Sequence, residues 1–276
     1  MIVNVKEIVD KQKTELKDKV SKMKKMGKIP KLAVILASDD KASEIYVSKK
    51  RDLCSEIGID EIEYIYNEDV NEEEIVNKIK ELNENEAISG ILVQLPLFKH
   101  LNSNKIINTI NPDKDVDGLT IVNIGKLTNN ENGIIPCTPK GIITLLDSLK
   151  TEYAGKNAVV VGRSNMVGKP IASLLLKKNA TVTICHSKTE NLKKYTKEAD
   201  ILIVACGKQK CITKDMVKKD SIVIDVGINR SDDGKIVGDC DTLNIYKKVK
   251  YITPVPGGIG LTTVVSLIEN VIELTK

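Results

Sequence analysis

The stretch NAVVVGRSNMVGKPIASLLL, residues 157–176, decides how the rest of the chain is interpreted. Residues 158–161 form an unbroken apolar run, which is typical of a strand buried on both faces of a parallel sheet. Gly162 ends the run, and Val167 and Ile171 then follow at helical spacing. A buried strand that leads through a glycine turn into a helix is the entry to a dinucleotide-binding fold.

The glycine turn is also a candidate phosphate site. Gly162 lets the backbone turn sharply and approach a phosphate, while the N–H groups and positive dipole at the helix start would hold the anion. The match to G-x-G-x-x-G is imperfect, because Ser164 replaces the second glycine and Gly168 comes one residue later than the third. A turn that joins strand to helix without any ligand therefore stays open as an alternative.

The end of the next strand favours NADP over NAD. An NAD site needs an acidic residue there to bind the ribose 2′-hydroxyl. The strand 180–185 is instead followed by His186, Ser187 and Lys188. Together with Arg163 in the glycine turn, these hydroxyl and cationic groups suit a 2′-phosphate.

Composition describes an ordinary globular protein. The 276 residues fit one or two domains, with 41% hydrophobic and 29% charged residues. The net charge of +4 is dispersed among alternating lysine and glutamate, so we expect neither nucleic acid nor a membrane as a partner. No apolar run has the length of a membrane span.

The six cysteines and two histidines favour a reducing compartment and no metal. No C-x-x-C pair occurs, and several cysteines lie in apolar segments, so reduced and mostly buried thiols are expected. Neither histidine stands near a plausible ligand or Ser-His-Asp set. The charged N-terminus shows no secretory signal, which favours the cytoplasm.

The N-terminal half repeats the strand and helix pattern. The segment 31–37 is predicted as a buried strand, and 42–58 as a helix on which Tyr46 and Lys50 share a face because they are four residues apart. A solvent-exposed Tyr and Lys would show the same spacing. Gln94 interrupts the apolar run near its carboxyl end, where open α/β sheets place ligand groups. It would equally satisfy loop backbone groups.

The loop 111–120 carries acids at alternate positions. Asp113, Asp115 and Asp117 resemble a calcium loop, yet no Glu stands at the twelfth position and Gly118 is out of register. Two interpretations remain open: an acidic turn, or a carboxylate that accepts hydrogen bonds from the N–H edge of a heterocycle.

Glycines follow the later strands of the second half. The strands 200–205 and 221–226 are followed by Gly207 and Gly227, which let their loops approach a nicotinamide. The string TPVPGGIGLTT, residues 253–263, fixes an unusual backbone with free N–H groups and is a plausible wall between two domains.

Ordered motifs along nearly the whole chain resemble the bifunctional methylenetetrahydrofolate dehydrogenase/cyclohydrolase family. They are YVSKK, GILVQLPL, PDKDVDG, PCTPKG, VVGRSNMVGKP, IDVGINR, VGD and TPVPGGIG. The resemblance implies an α/β fold with an N-terminal folate domain, a Rossmann-like doubly wound NADP-binding domain and a cleft between them. The implied domains are 1–138, on which the C-terminal helix 262–276 packs, and 139–261.

The resemblance also implies roles for individual residues. Lys50 would be the catalytic lysine, Tyr46 would orient the substrate, Gln94 would contact the lysine and Asp117 would hold the pterin ring. Pro256, Gly257 and Gly258 would border the folate. The residues implied to line NADP are Gly162, Arg163, Ser164, Ser187 and Ile228.

The implied enzyme oxidises 5,10-methylenetetrahydrofolate with NADP and hydrolyses the methenyl product to 10-formyltetrahydrofolate. The resemblance further implies a homodimer in one-carbon metabolism, with links to purine, methionine and histidine biosynthesis. Two alternatives stay open: another NADP-dependent dehydrogenase of the shikimate type, and a non-catalytic nucleotide-binding protein.

Overall fold

A computed structural model describes the backbone of all 276 residues and the side chains of residues 1–40 and 47–276. The chain divides into two compact units. The three-stranded unit comprises residues 11–137 and 264–276, and the five-stranded unit comprises residues 1–10 and 138–263. Within the described part of the chain, no helix has the length and apolar character needed to span a membrane.

The three-stranded unit is built on a parallel sheet of order β2-β1-β3. Its central strand β1 is almost completely buried, as its apolar sequence KLAVIL predicts. Connections through helices make the neighbouring strands parallel. The elements before residue 137 are α1 (Val5–Lys25), β1 (Lys31–Leu36), α2 (Lys41–Ile57), β2 (Asp60–Ile65), α3 (Glu72–Glu84), β3 (Gly90–Gln94), α4 (Ser103–Thr109) and α5 (Ile121–Thr128).

The five-stranded unit contains a parallel sheet of order β10-β7-β6-β4-β5. The strands β4, β6 and β7 have buried cores of Val, Ile and Leu. The elements from residue 137 onward are α6 (Cys137–Ser148), β4 (Asn157–Val161), α7 (Gly168–Lys177), β5 (Thr181–Cys185), α8 (Leu192–Thr196), β6 (Ile201–Val204), a 3-10 turn (Lys214–Met216), β7 (Ile222–Asp225), β8 (Asn229–Arg230), β9 (Ile236–Val237), α9 (Thr242–Ile245), β10 (Tyr251–Ile252) and α10 (Ile259–Leu274).

The strand order reverses at β4, because the chain moves outward to β5 and then returns to β6 on the other side. Such a reversal leaves a crevice beyond the carboxyl ends of the two inner strands, where doubly wound sheets bind ligands. Gly162 follows β4 and Ala205 follows β6 at this position. The doubly wound α/β fold predicted from the sequence is confirmed.

Each end of the chain belongs to the unit that is formed mainly by the other half of the sequence. Residues 1–10 belong to the five-stranded unit, where the Val3 N–H donates to the Ile252 carbonyl at 2.9 Å. The sequence-based division places them in the N-terminal domain. Residues 264–276, which include most of α10, belong to the three-stranded unit. There the Asn270 amide donates to the carbonyls of Val116 and Ile135 at 2.8 and 3.0 Å.

Candidate active site

Lys50 and Gln94 form a buried pair in the three-stranded unit. Lys50 lies on α2 and Gln94 ends β3, and their side chains are only 5% and 9% exposed. Lys50 Nζ donates a hydrogen bond to Gln94 Oε1 at 2.9 Å, while Gln94 Nε2 donates to the Leu95 carbonyl at 2.6 Å. The Gln94 amide is therefore oriented with its oxygen toward the Lys50 amine. Gln94 binds both a loop backbone carbonyl and the lysine side chain.

The surroundings of Lys50 make its amine easier to deprotonate. Burial lowers the pKa of Lys50 from its ordinary value, and the nearby Asp117 carboxylate opposes this effect. Burial in turn raises the pKa of Asp117, which the Lys50 ammonium and the Cys137 thiol counteract. The Lys50 amine is thus buried and loses its proton more readily than an exposed lysine. Among the carboxyl groups, Asp117 has the largest electrostatic effect on the pKa of Lys50.

The loop that carries Asp117 is held tightly. Gly118 has a φ of +67°, and a Cβ there would lie 2.8 Å from the Ile134 carbonyl oxygen, so the turn accepts only glycine. Cys137 Sγ donates to the Val116 carbonyl at 3.3 Å, and the same carbonyl accepts the hydrogen bond from Asn270. These contacts fix the backbone directly before Asp117.

Asp115 in the same loop has a structural role. Its carboxylate is 1% exposed and accepts hydrogen bonds from the N–H groups of Leu119 and Thr120 and from the Asn123 amide, at 3.2, 2.8 and 2.9 Å. The acidic turn is thus the observed role of Asp115, whereas a carboxylate that binds the N–H edge of a heterocycle stays a prediction for Asp117. Asp115 stabilises the turn, and Asp117 adjoins the buried lysine.

Tyr46 was expected to share a face with Lys50, but its side chain lies outside the described residues. Pro256, Gly257 and Gly258 were expected to border the folate and lie in the five-stranded unit, immediately before α10. Gly257 has a φ of +91°, and a Cβ on Gly258 would lie 2.2 Å from the Pro254 carbonyl oxygen. The unusual backbone expected for this string is confirmed.

The glycine turn after β4 has the close approach that a dinucleotide site requires. Gly162 has a φ of +139°, and a Cβ there would lie 2.2 Å from the Ala205 carbonyl oxygen. A Cβ on Gly168 would lie 2.3 Å from the Gly162 carbonyl oxygen. Gly168 therefore provides the close packing of helix and turn that the third glycine of the fingerprint usually provides.

Polar groups at this turn are available to a phosphate. Arg163 and Ser164 are exposed, and Ser164 Oγ accepts hydrogen bonds from the N–H groups of Val167 and Gly168 at 3.2 and 3.3 Å. Ser187, which follows β5, is also exposed, and no acidic residue stands at the end of that strand. These residues fit a dinucleotide with a 2′-phosphate.

Ile228, also expected at the cofactor, follows β7 and is 67% exposed. An exposed isoleucine at the carboxyl end of a central strand offers an apolar face to a ligand bound there. Two buried carboxylates near it, Asp225 and Asp239, had no role in the sequence-based prediction. The signal was present only as the motifs IDVGINR and VGD that contain them.

Comparisons with known proteins agree with the geometry of both units. The family model described as tetrahydrofolate dehydrogenase/cyclohydrolase, catalytic domain, matches residues 3–117. The model described as the NAD(P)-binding domain of the same family matches residues 136–276. The bifunctional protein FolD of Campylobacter hominis is 49% identical over 275 residues, covering 100% of this chain and 97% of that protein.

Solved structures give the same result. The bifunctional FolD of Campylobacter jejuni has a TM-score of 0.98 and 44% identity, covering 99% of this chain and 98% of that one. The Trypanosoma brucei enzyme, described as complexed with NADP cofactor and inhibitor, has a TM-score of 0.95 and 32% identity over 99% and 96% of the two chains. These matches favour the folate enzyme over both alternatives. The chain belongs to the bifunctional methylenetetrahydrofolate dehydrogenase/cyclohydrolase family, whose NADP-dependent dehydrogenase and cyclohydrolase activities it carries.

Proposed function

We propose that Lys50, Gln94 and Asp117, together with Tyr46, form the catalytic and folate-binding group of this enzyme. The observation that carries the proposal is the buried hydrogen bond of 2.9 Å between Lys50 Nζ and Gln94 Oε1. Lys50 is 5% exposed, so its amine loses most of its hydrating water on folding. That free-energy cost must be offset by a hydrogen-bond partner in the protein. Gln94 is such a partner and adds no negative charge.

The dehydrogenase step needs alignment more than a strong base. When NADP is bound it accepts a hydride from the methylene carbon of the folate. The remaining methenyl cation is stabilised by its two flanking nitrogens, and no heteroatom proton leaves in this step. Asp117 holds the pterin ring by accepting hydrogen bonds from its N–H edge, so the carbon is presented in a fixed orientation.

The cyclohydrolase step needs proton transfers. Water adds to the methenyl carbon and gives up a proton, and the carbon–nitrogen bond then opens as the leaving nitrogen receives a proton. Neutral Lys50 takes the proton from water and, as an ammonium, returns one to the nitrogen. Burial lowers the pKa of Lys50 and thereby favours the neutral form in which it starts.

The cofactor site lies at the glycine turn and the neighbouring strand ends. Gly162 and Ser164 receive the phosphates, Arg163 and Ser187 bind the 2′-phosphate, and Ile228 contacts the nicotinamide end. Support comes from the positive φ of Gly162 and from the exposure of the other four residues. The absence of an acid after β5 gives NADP preference over NAD.

The domain roles follow from these assignments. The proposed folate domain spans residues 1–138 with a contribution from α10, although residues 1–10 pack in the five-stranded unit, and the proposed NADP domain spans residues 139–261. Pro256, Gly257 and Gly258 border the folate; the support is the constrained backbone of that string, with its positive φ at Gly257 and its close approach at Gly258. The Asn270 hydrogen bonds to Val116 and Ile135 support the contribution of α10.

The enzyme is a homodimer in the cytoplasm. β2 is an edge strand on which Ile62 and Ile65 are 37% and 65% exposed, as expected for a surface that a second copy covers. All six cysteines are free thiols, which suits a reducing compartment. The link to purine, methionine and histidine biosynthesis rests on the family resemblance alone.

The test compares Lys50→Met with Lys49→Met, an exposed lysine one position earlier. Both activities are assayed separately, the cyclohydrolase from methenyl substrate without NADP. We expect Lys50→Met to lower the cyclohydrolase kcat by about 10²- to 10⁴-fold, the range of general acid–base catalysis, and the dehydrogenase much less. Lys49→Met should change neither activity. Equal losses of both activities in Lys50→Met would contradict the separate roles.

A further inference from the structure

Two carboxylates of the five-stranded unit are completely buried and belong to none of the groups assigned above. Asp225 ends β7, and Asp239 follows the hairpin formed by β8 and β9. Both are 0% exposed. A buried carboxylate is costly unless hydrogen bonds replace its hydration, so the partners of these two residues indicate what they stabilise.

Asp239 joins two loops at the carboxyl ends of neighbouring strands. Its Oδ2 accepts hydrogen bonds from the N–H groups of Cys206 and Gly207 at 2.7 and 2.9 Å. Its Oδ1 accepts from the Lys208 N–H and from Asn229 Nδ2, both at 2.9 Å. Four donors therefore converge on one carboxylate, three from the loop after β6 and one from the strand that follows the β7 loop.

Asp225 holds Asp239 in this position. Its Oδ1 accepts from the N–H groups of Gly227 and Asp239, both at 3.0 Å, and its Oδ2 accepts from the Cys240 N–H at 2.9 Å. The returning strand of the hairpin is thus attached to the end of β7. Asp225 thus fixes the backbone of Asp239, and the Asp239 side chain in turn fixes the loop after β6.

Glycines adjoin both carboxylates because no side chain would fit. A Cβ on Gly227 would lie 2.3 Å from Asp239 Oδ1, and one on Gly238 would lie 2.0 Å from Asp225 Oδ2. At both positions the backbone packs directly against a carboxylate, so any larger residue would displace it. The network therefore connects the loop 205–208 to the loop 226–229.

The loop held by Asp239 also contacts the glycine turn. The Ala205 carbonyl oxygen lies 2.2 Å from the position that a Cβ of Gly162 would occupy. The loops after β4, β6 and β7 thus meet at the reversal of strand order, where doubly wound sheets bind their cofactor. Asp239 reaches two of these three loops but is itself buried beneath them.

We propose that Asp239 is a positioning residue for NADP, which fixes the loops carrying Gly207 and Ile228 through four hydrogen bonds, with Asp225 supporting it from β7. The inference rests on the proposed cofactor site in the five-stranded unit. It adds that the shape of this site depends on a buried carboxylate that touches no part of the cofactor. Binding to preformed loops avoids the entropy cost of ordering them.

The test uses Asp239→Asn, which keeps the size of the side chain. The substitution replaces one carboxylate oxygen, which accepts hydrogen bonds, by an NH2 group that cannot accept them. Asp241→Asn is the matched control, because this half-buried carboxylate two residues later receives its side-chain hydrogen bond from Asn244 instead. NADP binding is measured by calorimetry, and amide hydrogen exchange is followed at residues 206–208. Cyclohydrolase activity is assayed without NADP.

In Asp239→Asn we expect the Kd for NADP to rise about tenfold or more, as for loss of several hydrogen bonds to a charged group. Exchange at Cys206, Gly207 and Lys208 should become faster, while cyclohydrolase activity stays within about twofold because Lys50 and Gln94 belong to the other unit. Asp241→Asn should leave all three readouts unchanged.

Unchanged NADP affinity in a folded Asp239→Asn protein would overturn the inference, and so would equal losses of NADP binding and cyclohydrolase activity. If this variant does not fold, Asn229→Ala removes one of the four hydrogen bonds and should raise the Kd about threefold. An unchanged Kd in Asn229→Ala would then overturn it. Failure of the unmodified enzyme to bind NADP would instead contradict the proposed cofactor site.

Discussion

Arg163 is exposed in the glycine turn, and its proposed role is to bind the 2′-phosphate that distinguishes NADP from NAD. We expect Arg163→Ala to raise the KM for NADP on the order of tenfold, since a hydrogen bond between charged groups is lost. The KM for NAD should change little, because NAD has no phosphate at that position. Steady-state kinetics with both cofactors measures the difference.

Lys177→Ala is the control, since this lysine lies at the last residue of α7, remote from the turn. It should alter neither KM. If Arg163→Ala left the ratio of the two KM values as it is in the unmodified enzyme, the assignment of this arginine to the 2′-phosphate would be wrong.

At the residue scale, the local sequence pattern predicted Lys50 and Gln94 only individually, and the family resemblance alone implied the contact between them. Lys50 and Gln94 were each singled out, Lys50 by helical spacing and Gln94 by its place in an apolar run. Their hydrogen bond joins residues 44 positions apart, and it depends on how α2 packs against the sheet. Periodicity within one element carries no information on that packing. Asp225 and Asp239 were missed for the same reason, because their partners lie in other loops.

At the scale of elements, the strand, turn and helix from β4 to α7 depend on close approach between backbones. Gly168 tests this close approach directly. Its φ is not positive, so an alanine there would suffer no backbone strain, and its Cβ would only clash with the Gly162 carbonyl oxygen at 2.3 Å. We expect Gly168→Ala to lower the free energy of unfolding by about 1–3 kcal/mol, the usual cost of overpacking. NADP affinity should fall with it, since the turn must move.

Gly125→Ala is the matched control, because Gly125 lies within α5 and, apart from its chain neighbours and the adjacent helix backbone, no atom comes within 4 Å of its Cβ position. Alanine in a helix should raise the free energy of unfolding by about 0.5–1 kcal/mol. Denaturant unfolding of both variants measures the difference. A Gly168→Ala protein as stable as Gly125→Ala would show that helix and turn have room to separate.

The elements themselves followed from the sequence with small shifts at their ends. The strand expected at 31–37 spans Lys31–Leu36, and the helix expected at 42–58 spans Lys41–Ile57. Buried parallel strands were recognisable because both faces must be apolar, which gives continuous Val, Ile and Leu. Ends are set by capping and by hydrogen bonds from other segments, which apolar periodicity does not report.

At the scale of the whole molecule, the proposed dimer depends on the exposed edge of β2. Replacing Ile65, which is 65% exposed, by lysine places a charge on that edge. We expect Ile65→Lys to shift sedimentation toward the monomer while leaving the fold intact. Leu176→Lys is the control, since Leu176 is equally exposed at 65% but lies on α7 in the other unit. A variant at Ile65 that sediments like the unmodified protein would exclude this edge as the interface.

The composition of the two units was only partly predictable from the sequence. Residues 264–276 lie in the three-stranded unit, and residues 1–10 lie in the five-stranded unit. The N-terminal residues are held there by a pairing of Ile2 with Ile252. Contacts between the two ends of a chain have no signature in local composition.

Lys50, which is buried and has a lowered pKa, is the proposed proton-transfer group of the cyclohydrolase. Since the neutral amine accepts the proton, the rate must fall as pH decreases through the pKa of Lys50 and must level off above it. The most direct measurement is the pH dependence of cyclohydrolase kcat, corrected for spontaneous hydrolysis of the methenyl substrate. With Lys50 as the base, we expect a rate that rises with pH to a plateau, with a midpoint below the ordinary lysine pKa of 10.5. A rate independent of pH, or one still rising at 10.5, would contradict it.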